Sequence, residues 1–226
     1  MPASQAASTS EIAVLVIGAG GHAAEICSYV ADLRRASAAI RLLGCVDDHK
    51  PVGRCGPVEI IGDVSMIETL VRTERGLRCI VAVGDNATRK RLADRVDALG
   101  LRDIWLTLRH PAAQVGQDVT IGPGTCLAPG SIVTTRVRLG AHVILNVNAS
   151  VSHDAVVGDF VNLNPGAAAA GNTRLGDGCY IGAGATVIDK VSVGEWTIVG
   201  AGAAVVRDLP PNVTAVGVPA RVIKQR

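Results

Sequence analysis

The chain has 226 residues, of which 48 % are hydrophobic and only 2 % aromatic, with a formal net charge of +2. A near-neutral balance with no dense Lys/Arg run and few stacking aromatics argues against a nucleic-acid partner. No apolar stretch reaches the roughly 20 residues of a membrane span, which excludes that class as well.

In chain order, residues 1–10 (MPASQAASTS) are small and polar. They lack the basic start and apolar stretch of a signal peptide, so residues 1–11 are expected to form a disordered tail. Residues 12–110 then alternate strand and helix signals. IAVLVIG (12–18) is a continuous apolar run ending in Gly, as in a buried parallel strand. A helical stretch, HAAEICSYVADLRRA, follows it, and IRLLGCVDD (40–48) reads as the next strand. VSMIETLVRTERG (64–76) reads as helix, RCIVAVGDN (78–86) as strand, and ATRKRLADRVDALG (87–100) as an amphipathic helix closed by Gly100. The alternation predicts a small Rossmann-like α/β domain with a parallel sheet. The six cysteines, Cys27, Cys45, Cys55, Cys79, Cys126 and Cys179, form no C-x-x-C pair. They read as buried, reduced thiols of a cytosolic protein rather than a zinc site or a disulfide framework.

From Val115 the period becomes six, and residues 115–210 divide without a break into sixteen hexads. Fifteen first positions are Val, Ile or Leu, the exception being Ala169, and fifteen fifth positions are small, the exception being Leu209. Gly fills eight second positions, where it is expected to serve the turn geometry. An aliphatic every six residues fills the centre of a triangular coil of three short strands. Residues eighteen apart then stack at an inter-strand spacing of about 4.8 Å. The pattern predicts a parallel β-helix over 111–226 and resembles the left-handed β-helix of hexapeptide-repeat acyltransferases.

Departures from the repeat cluster between residues 145 and 174. Asn146 and Asn164 replace second-position Gly, and Asn148, Ser152, His153, Asp154, Asn162 and Asn172 lie near them in sequence. GAAAAGN (166–172) removes side-chain bulk from the same stretch. Small residues beside polar ones suit a groove for an elongated ligand. His142, which breaks no pattern, reads as a surface residue.

The block NASVSHDAVVGDFVNLNPGAAAAGNTRLGDGCYIGAGATV, with VIGAGGHA, VDD, VAVGDN and the tail AVGVPAR, resembles the bacterial acetyltransferases of nucleotide-linked amino sugars, a family that includes sialic-acid O-acetyltransferase homologues. The resemblance implies acetyl-CoA as co-substrate, no metal, a nucleotide-linked amino sugar as acceptor (a 4-amino-4,6-dideoxyhexose), a role in surface-glycan or O-antigen synthesis, a cytoplasmic location and a homotrimer. It implies that His153 is the general base, that Asp154 orients it, and that Asn146 lies near the thioester. Asn162 falls where relatives place a second His near the acetyl group, although Asn only hydrogen-bonds. Gly166, Ala183 and Ala201 are expected along the pantetheine arm. Arg221, or Lys224, is expected near the adenine and phosphate end.

In the first domain, Gly18, Gly20 and Ala23 also fit the dinucleotide pattern G-x-G-x-x-A. About three predicted strands are half of what a nicotinamide site uses, so a sugar nucleotide fits better. Gly20, Gly21 and His22 would then meet the pyrophosphate at a helix start. Asp47 and Asp48 would accept hydrogen bonds from base or ribose, and Gly84 would let backbone approach the ligand. The alternative is that these glycines serve only a tight turn. Competing functions are a sialic-acid-type sugar O-acetyltransferase, a non-catalytic nucleotide-binding module, and a β-helical zinc carbonic anhydrase. The last is disfavoured because the repeat region holds only His142 and His153.

Overall fold

The computed structural model describes residues 11–36 and 38–226, so the tail expected over 1–11 lies, Glu11 apart, outside the described residues. The N-terminal unit comprises β1 (Ile12–Ile17), α1 (Gly21–Arg35), β2 (Ile40–Val46), β3 (Gly53–Cys55), β4 (Val58–Gly62), α2 (Met66–Thr73), β5 (Leu77–Val81) and α3 (Asn86–Asp97). Its sheet runs β3-β4-β2-β1-β5 and is parallel except for the β3/β4 hairpin. Three strands match the sequence expectation. The hairpin was not expected, because β3 is three exposed residues long and too short to show a period. In β1, Ala13 to Ile17 are all buried: Val14 and Val16 pack under Ile26 and Val30 of α1, while Leu15 and Ile17 pack under Ile67 of α2 and Val96 of α3. Burial on both faces is what turns a parallel strand into a continuous apolar run.

The remainder is a left-handed parallel β-helix. Its first strand, Leu108–Arg109, pairs with Cys126–Leu127, so the rod begins a few residues before the boundary expected at 110/111. From Gln114–Val115 to Ala204–Val205 each rod strand holds an outward sixth-position residue and an inward first-position one. Partners are eighteen apart, as in Ile144, Asn162 and Tyr180. Three faces result. The first includes Ile144–Leu145 and Asn162–Leu163, the second Ser150–Val151 and Ala168–Ala169, and the third Val156–Val157 and Arg174–Leu175. From Leu127 to Val205 every first-position residue is buried, Ala169 included. Each fully buried Val, Leu or Ile is worth roughly 1.5–3 kcal/mol, so the rod's stability comes from this axial stack. A hairpin of Val213–Val216 and Arg221–Gln225 closes the first face.

The second-position glycines have a different cause from the one expected. They do not take the left-handed conformation. A Cβ at Gly122 would lie 2.4 Å from the carbonyl carbon of Gly140, and one at Gly182 2.5 Å from the nitrogen of Ala201. Close approach of successive coils requires them. The left-handed residues are instead at the fourth positions, where Arg136, Asn148, Asp154 and Asn172 all have φ between 54° and 60°.

The N-terminal unit sits on the first face. Cys126 and Ala128 join the core beneath α1, and Phe160 joins the core beside α3. Two further expectations change here. Of the cysteines, four are buried, but Cys27 is only partly buried and Cys55 is exposed. His142 is not a surface residue: it is 4 % exposed, stacked on Phe160 at 5.0 Å and edge-on to Trp105 at 4.6 Å. The N-terminal unit covers a corner that the repeat alone would expose. Burial, then the nearby Arg89 charge, pushes the His142 pKa down to about 4. Between about pH 6.5 and pH 4 the unfolded chain therefore binds a proton that the folded chain refuses, and stability falls as pH falls through that window. The loss expected at pH 5 is about 2 kcal/mol, and His142→Phe should remove most of it. Urea unfolding at pH 7.5 and pH 5 of both proteins checks this; equal pH sensitivity would count against it.

Candidate active site

His153 occupies the corner between the second and third faces, just after Ser150–Val151. Its side chain is 54 % exposed, and its Nδ1 lies 2.8 Å from Asp154 Oδ2. An ionised carboxylate only accepts, so Nδ1 of the neutral ring carries the proton and Nε2 keeps its lone pair. Among the described residues nothing bonds to Nε2. Arg136, one coil earlier, grips Asp154 through Nε to Oδ1 at 2.7 Å and Nη2 to Oδ2 at 2.9 Å. Arg136 and then His153 hold the Asp154 carboxyl well below the usual carboxylate range.

Gly171, one coil later, lies against the imidazole. A Cβ there would stand 2.5 Å from Cε1 and 2.6 Å from Nε2 of His153. Gly171 has no left-handed φ, so alanine meets no backbone penalty there, only the ring. Gly171→Ala is expected to displace the imidazole and lower kcat by about tenfold or more, with CoA affinity unchanged. Steady-state kinetics with a CoA titration checks it. Neither Arg136 nor Gly171 was singled out from the sequence, although each lies eighteen residues from a member of the dyad.

Asn146, Asn164, Gly166, Ala183 and Ala201 occupy another corner, between the first and second faces. Sequence proximity had grouped Asn146, Asn164 and Gly166 with His153; within one chain the width of the second face separates them. Here the rod is stripped of side chains. Gly166, Gly184 and Gly202 stack with φ of 65–69°, nothing stands within 4 Å of a Cβ added at any of them, and Ala183 and Ala201 are exposed. This column is a groove along the rod bare of side chains. Arg221 is exposed on the closing hairpin.

Beside this corner is a cavity of about 330 Å³, lined from the rod by Ile144, Asn146, Asn162, Asn164 and Tyr180 and from the N-terminal unit by His22, Glu25, Gly84 and Asp85. Asn162 is 3 % exposed and already committed. Its Oδ1 accepts from Arg89 Nη2 at 2.6 Å, and its Nδ2 donates to Gly84 O at 2.6 Å. It fixes the two sides of the cavity to each other through its amide oxygen and one of its two amide hydrogens. Arg89 itself is 1 % exposed and donates to the carbonyls of His142, Val83, Gly84 and Phe160 as well as to Asn162. Burial lowers its pKa to about 10, so it remains charged at neutral pH.

The N-terminal loops open at the carboxyl ends of β1 and β5, the switch point at which open α/β sheets bind ligands. Gly18 is structural: its φ is 103°, and a Cβ would meet Val83 Cγ2 at 3.0 Å. Gly20, Gly21 and Gly84 are different, with no left-handed φ and nothing within 4 Å of an added Cβ. Neither turn geometry nor packing explains them, and their bareness leaves the start of α1 open. His22 Nδ1 pairs with Glu25 Oε2 at 2.9 Å, while its Nε2 is buried at the cavity wall without a partner among the described residues. Asp47 accepts from the Ala19 and His49 amides; Asp48 accepts from the Val64 amide and pairs with Arg95 at 2.6 Å. Both carboxylates line a second crevice with Gly18, His49 and Thr88, already holding partners of their own.

Residues 13–96 match the PglD N-terminal domain, and residues 172–207 match the bacterial transferase hexapeptide repeats. PerB from Caulobacter crescentus, solved with CoA and GDP-perosamine, is 34 % identical; the match covers 94 % of this chain and 97 % of that one, with a TM-score of 0.83. The chain belongs to the hexapeptide-repeat sugar N-acetyltransferases. The acetyltransferase domain of PglB from Neisseria gonorrhoeae FA1090, solved with acetyl coenzyme A, is another member-like structure, 32 % identical over 95 % of this chain and 100 % of that one, with a TM-score of 0.83. The UDP-N-acetylbacillosamine N-acetyltransferase of Bacillus subtilis (strain 168) is 38 % identical over 115 residues, and this match spans about half the length of that curated relative and half of this chain. No described helix is long and apolar enough to cross a membrane. Among the described residues, no group of three or more His, Cys, Asp or Glu is placed to hold a metal ion.

Proposed function

We propose that the protein transfers the acetyl group of acetyl-CoA to the amine of a nucleotide-linked amino sugar, a 4-amino-4,6-dideoxyhexose, for surface-glycan or O-antigen synthesis. The observation that carries this reading is the exposed His153 ring, with Nδ1 anchored on Asp154 and Nε2 left open. In the reaction the amine nitrogen attacks the thioester carbonyl, forming the C–N bond. Nε2 takes the amine proton, the C–S bond breaks, and the imidazolium returns the proton to the departing thiolate of CoA. Gly20, Gly21 and Gly84 make room for the nucleotide diphosphate, whose charge suits the free amides at the start of α1.

The two halves of the site lie on two corners of one rod, and a homotrimer joins them. The outward residues of the second face include Ile132, Ser150, Ala168, Thr186 and Ala204, none charged, whereas the third face carries Arg138 and Arg174. An uncharged face of small side chains is the one suited to close packing against further copies. Around a threefold axis, the His153 corner of one copy then meets the Gly184–Gly202 column of the next.

The test is an assay of purified protein with acetyl-CoA against UDP-, GDP- and dTDP-linked 4-amino sugars and against free sialic acid, with light scattering for the assembly. An alkali-stable acetamide on one nucleotide sugar and a trimeric mass are expected. An alkali-labile ester formed on sialic acid would replace this reading with the O-acetyltransferase. Nucleotide binding without acetyl transfer would leave only a binding module.

A further inference from the structure

We propose that Arg136 is a positioning residue that sets the basicity of His153: by gripping Asp154 it fixes the carboxylate under the imidazole and cancels part of its charge. The inference rests on the reading of His153 as the base and extends it to a side chain one coil away.

A bare aspartate 2.8 Å from Nδ1 would orient the ring but would also stabilise the imidazolium. A base held too firmly in its protonated form is useless near neutral pH. Arg136 resolves this conflict. Both carboxylate oxygens accept from its fork, and Oδ2 is shared between Nη2 at 2.9 Å and His153 Nδ1 at 2.8 Å. The bidentate geometry holds the carboxylate plane, and the guanidinium charge offsets the carboxylate charge felt by the ring.

The corner is a stacked column, and its neighbours leave Arg136 as the controlling charge. Successive coils are tied there by Arg136 N to Gln117 O at 3.0 Å, Asp154 N to Thr135 O at 3.2 Å and Asn172 N to His153 O at 2.8 Å. The coil before presents Thr135 and Arg136 to the dyad; the coil after presents Gly171 and Asn172, neither of which titrates. Asp118 lies beyond Arg136, and Asp189 and Lys190 lie one coil beyond Gly171 and Asn172. On the third face Arg138 and Arg174 flank Val156, outside the hydrogen-bonded set.

Arg136 is 57 % exposed, so its replacement leaves the rod core untouched. Arg136→Gln and Arg136→Lys are to be compared by NMR titration of the His153 ring and by the pH profile of kcat/KM. Glutamine is expected to move the titration of the His153 ring to higher pH, because one positive charge is lost beside the carboxylate that faces the ring. The acidic limb of the profile should move to higher pH by the same amount. Lysine keeps the charge and should leave the limb in place while lowering kcat through the lost fork. A glutamine variant whose ring titrates at the wild-type pH or lower would overturn the proposal. Turnover of His153→Ala distinguishes this from failure of the underlying reading. If that variant retains wild-type turnover, His153 is not the base; the ring titration, which needs no catalysis, still reports what Arg136 does.

Discussion

His153→Ala is expected to lower kcat by about 10²- to 10⁴-fold, the usual contribution of a positioned general base. The attacking amine loses a proton as the C–N bond forms, and among the described residues no other titratable side chain hydrogen-bonds to Nε2. Asp154 cannot substitute, because Arg136 and His153 hold its pKa far below the range in which a carboxylate takes an amine proton. CoA affinity should be unchanged, since the bare column at Gly166, Gly184 and Gly202 is formed without the His153 side chain. The pH dependence should change as well. Wild-type kcat/KM should rise with pH until the ring is neutral, whereas the alanine variant should lack that ring-controlled limb. Calorimetric CoA binding together with a pH series of initial rates measures both. Turnover within a few-fold of wild type would remove His153 from the reaction.

Much of the architecture was legible because the β-helix repeats its physical constraint every six residues. A core that admits one aliphatic side chain per strand must write that residue at each first position, and sixteen repetitions leave little room for another fold. The dyad was legible for a related reason: at a third and a fourth hexad position, His153 and Asp154 owe nothing to the core. What sequence distance could not convey was the corner. Seven residues separate Asn146 from His153, and in this rod that is one corner to the next. Residues close in the chain are therefore parted, while Arg136, Asp154 and Asn172, eighteen apart, are stacked. The cause of the second-position glycines also required the fold, since inter-coil contact and left-handed φ both favour Gly but act at different places in the hexad. His142 was misjudged because the repeat predicts its exposure within an isolated rod, and it lies where the N-terminal unit covers the rod.

Arg89→Met is expected to destabilise the protein by at least about 3 kcal/mol and to raise the KM for the nucleotide sugar more than it lowers kcat. In the sequence Arg89, Lys90 and Arg91 look like a solvated basic run. Helical spacing gives the contrary signal, because Arg89 shares a face with Ala93 and Val96, both buried. Its acceptors are four backbone carbonyls and one amide oxygen, with no carboxylate among them. A neutral acceptor set of this kind makes a clamp rather than an ion pair. Val83 and Gly84 belong to the loop after β5, while His142, Phe160 and Asn162 belong to the rod, so one guanidinium spans the junction. Methionine fills much of the same space but leaves buried oxygens without donors, Asn162 Oδ1 included. The wall of the 330 Å³ cavity formed by Gly84 and Asn162 then loses its fixed spacing. Lysine retains the charge but offers three donors from a single point, so Arg89→Lys should recover only part of the loss. Urea unfolding and separate KM measurements for acetyl-CoA and the sugar nucleotide provide the readouts. If Arg89→Met matched wild type in both stability and sugar-nucleotide KM, the junction would be held by apolar packing and by the Asn86 and Asn162 hydrogen bonds without the guanidinium. The selective rise in sugar-nucleotide KM is the outcome that ties the clamp to the site, because simple destabilisation would reduce active protein without favouring one substrate over the other.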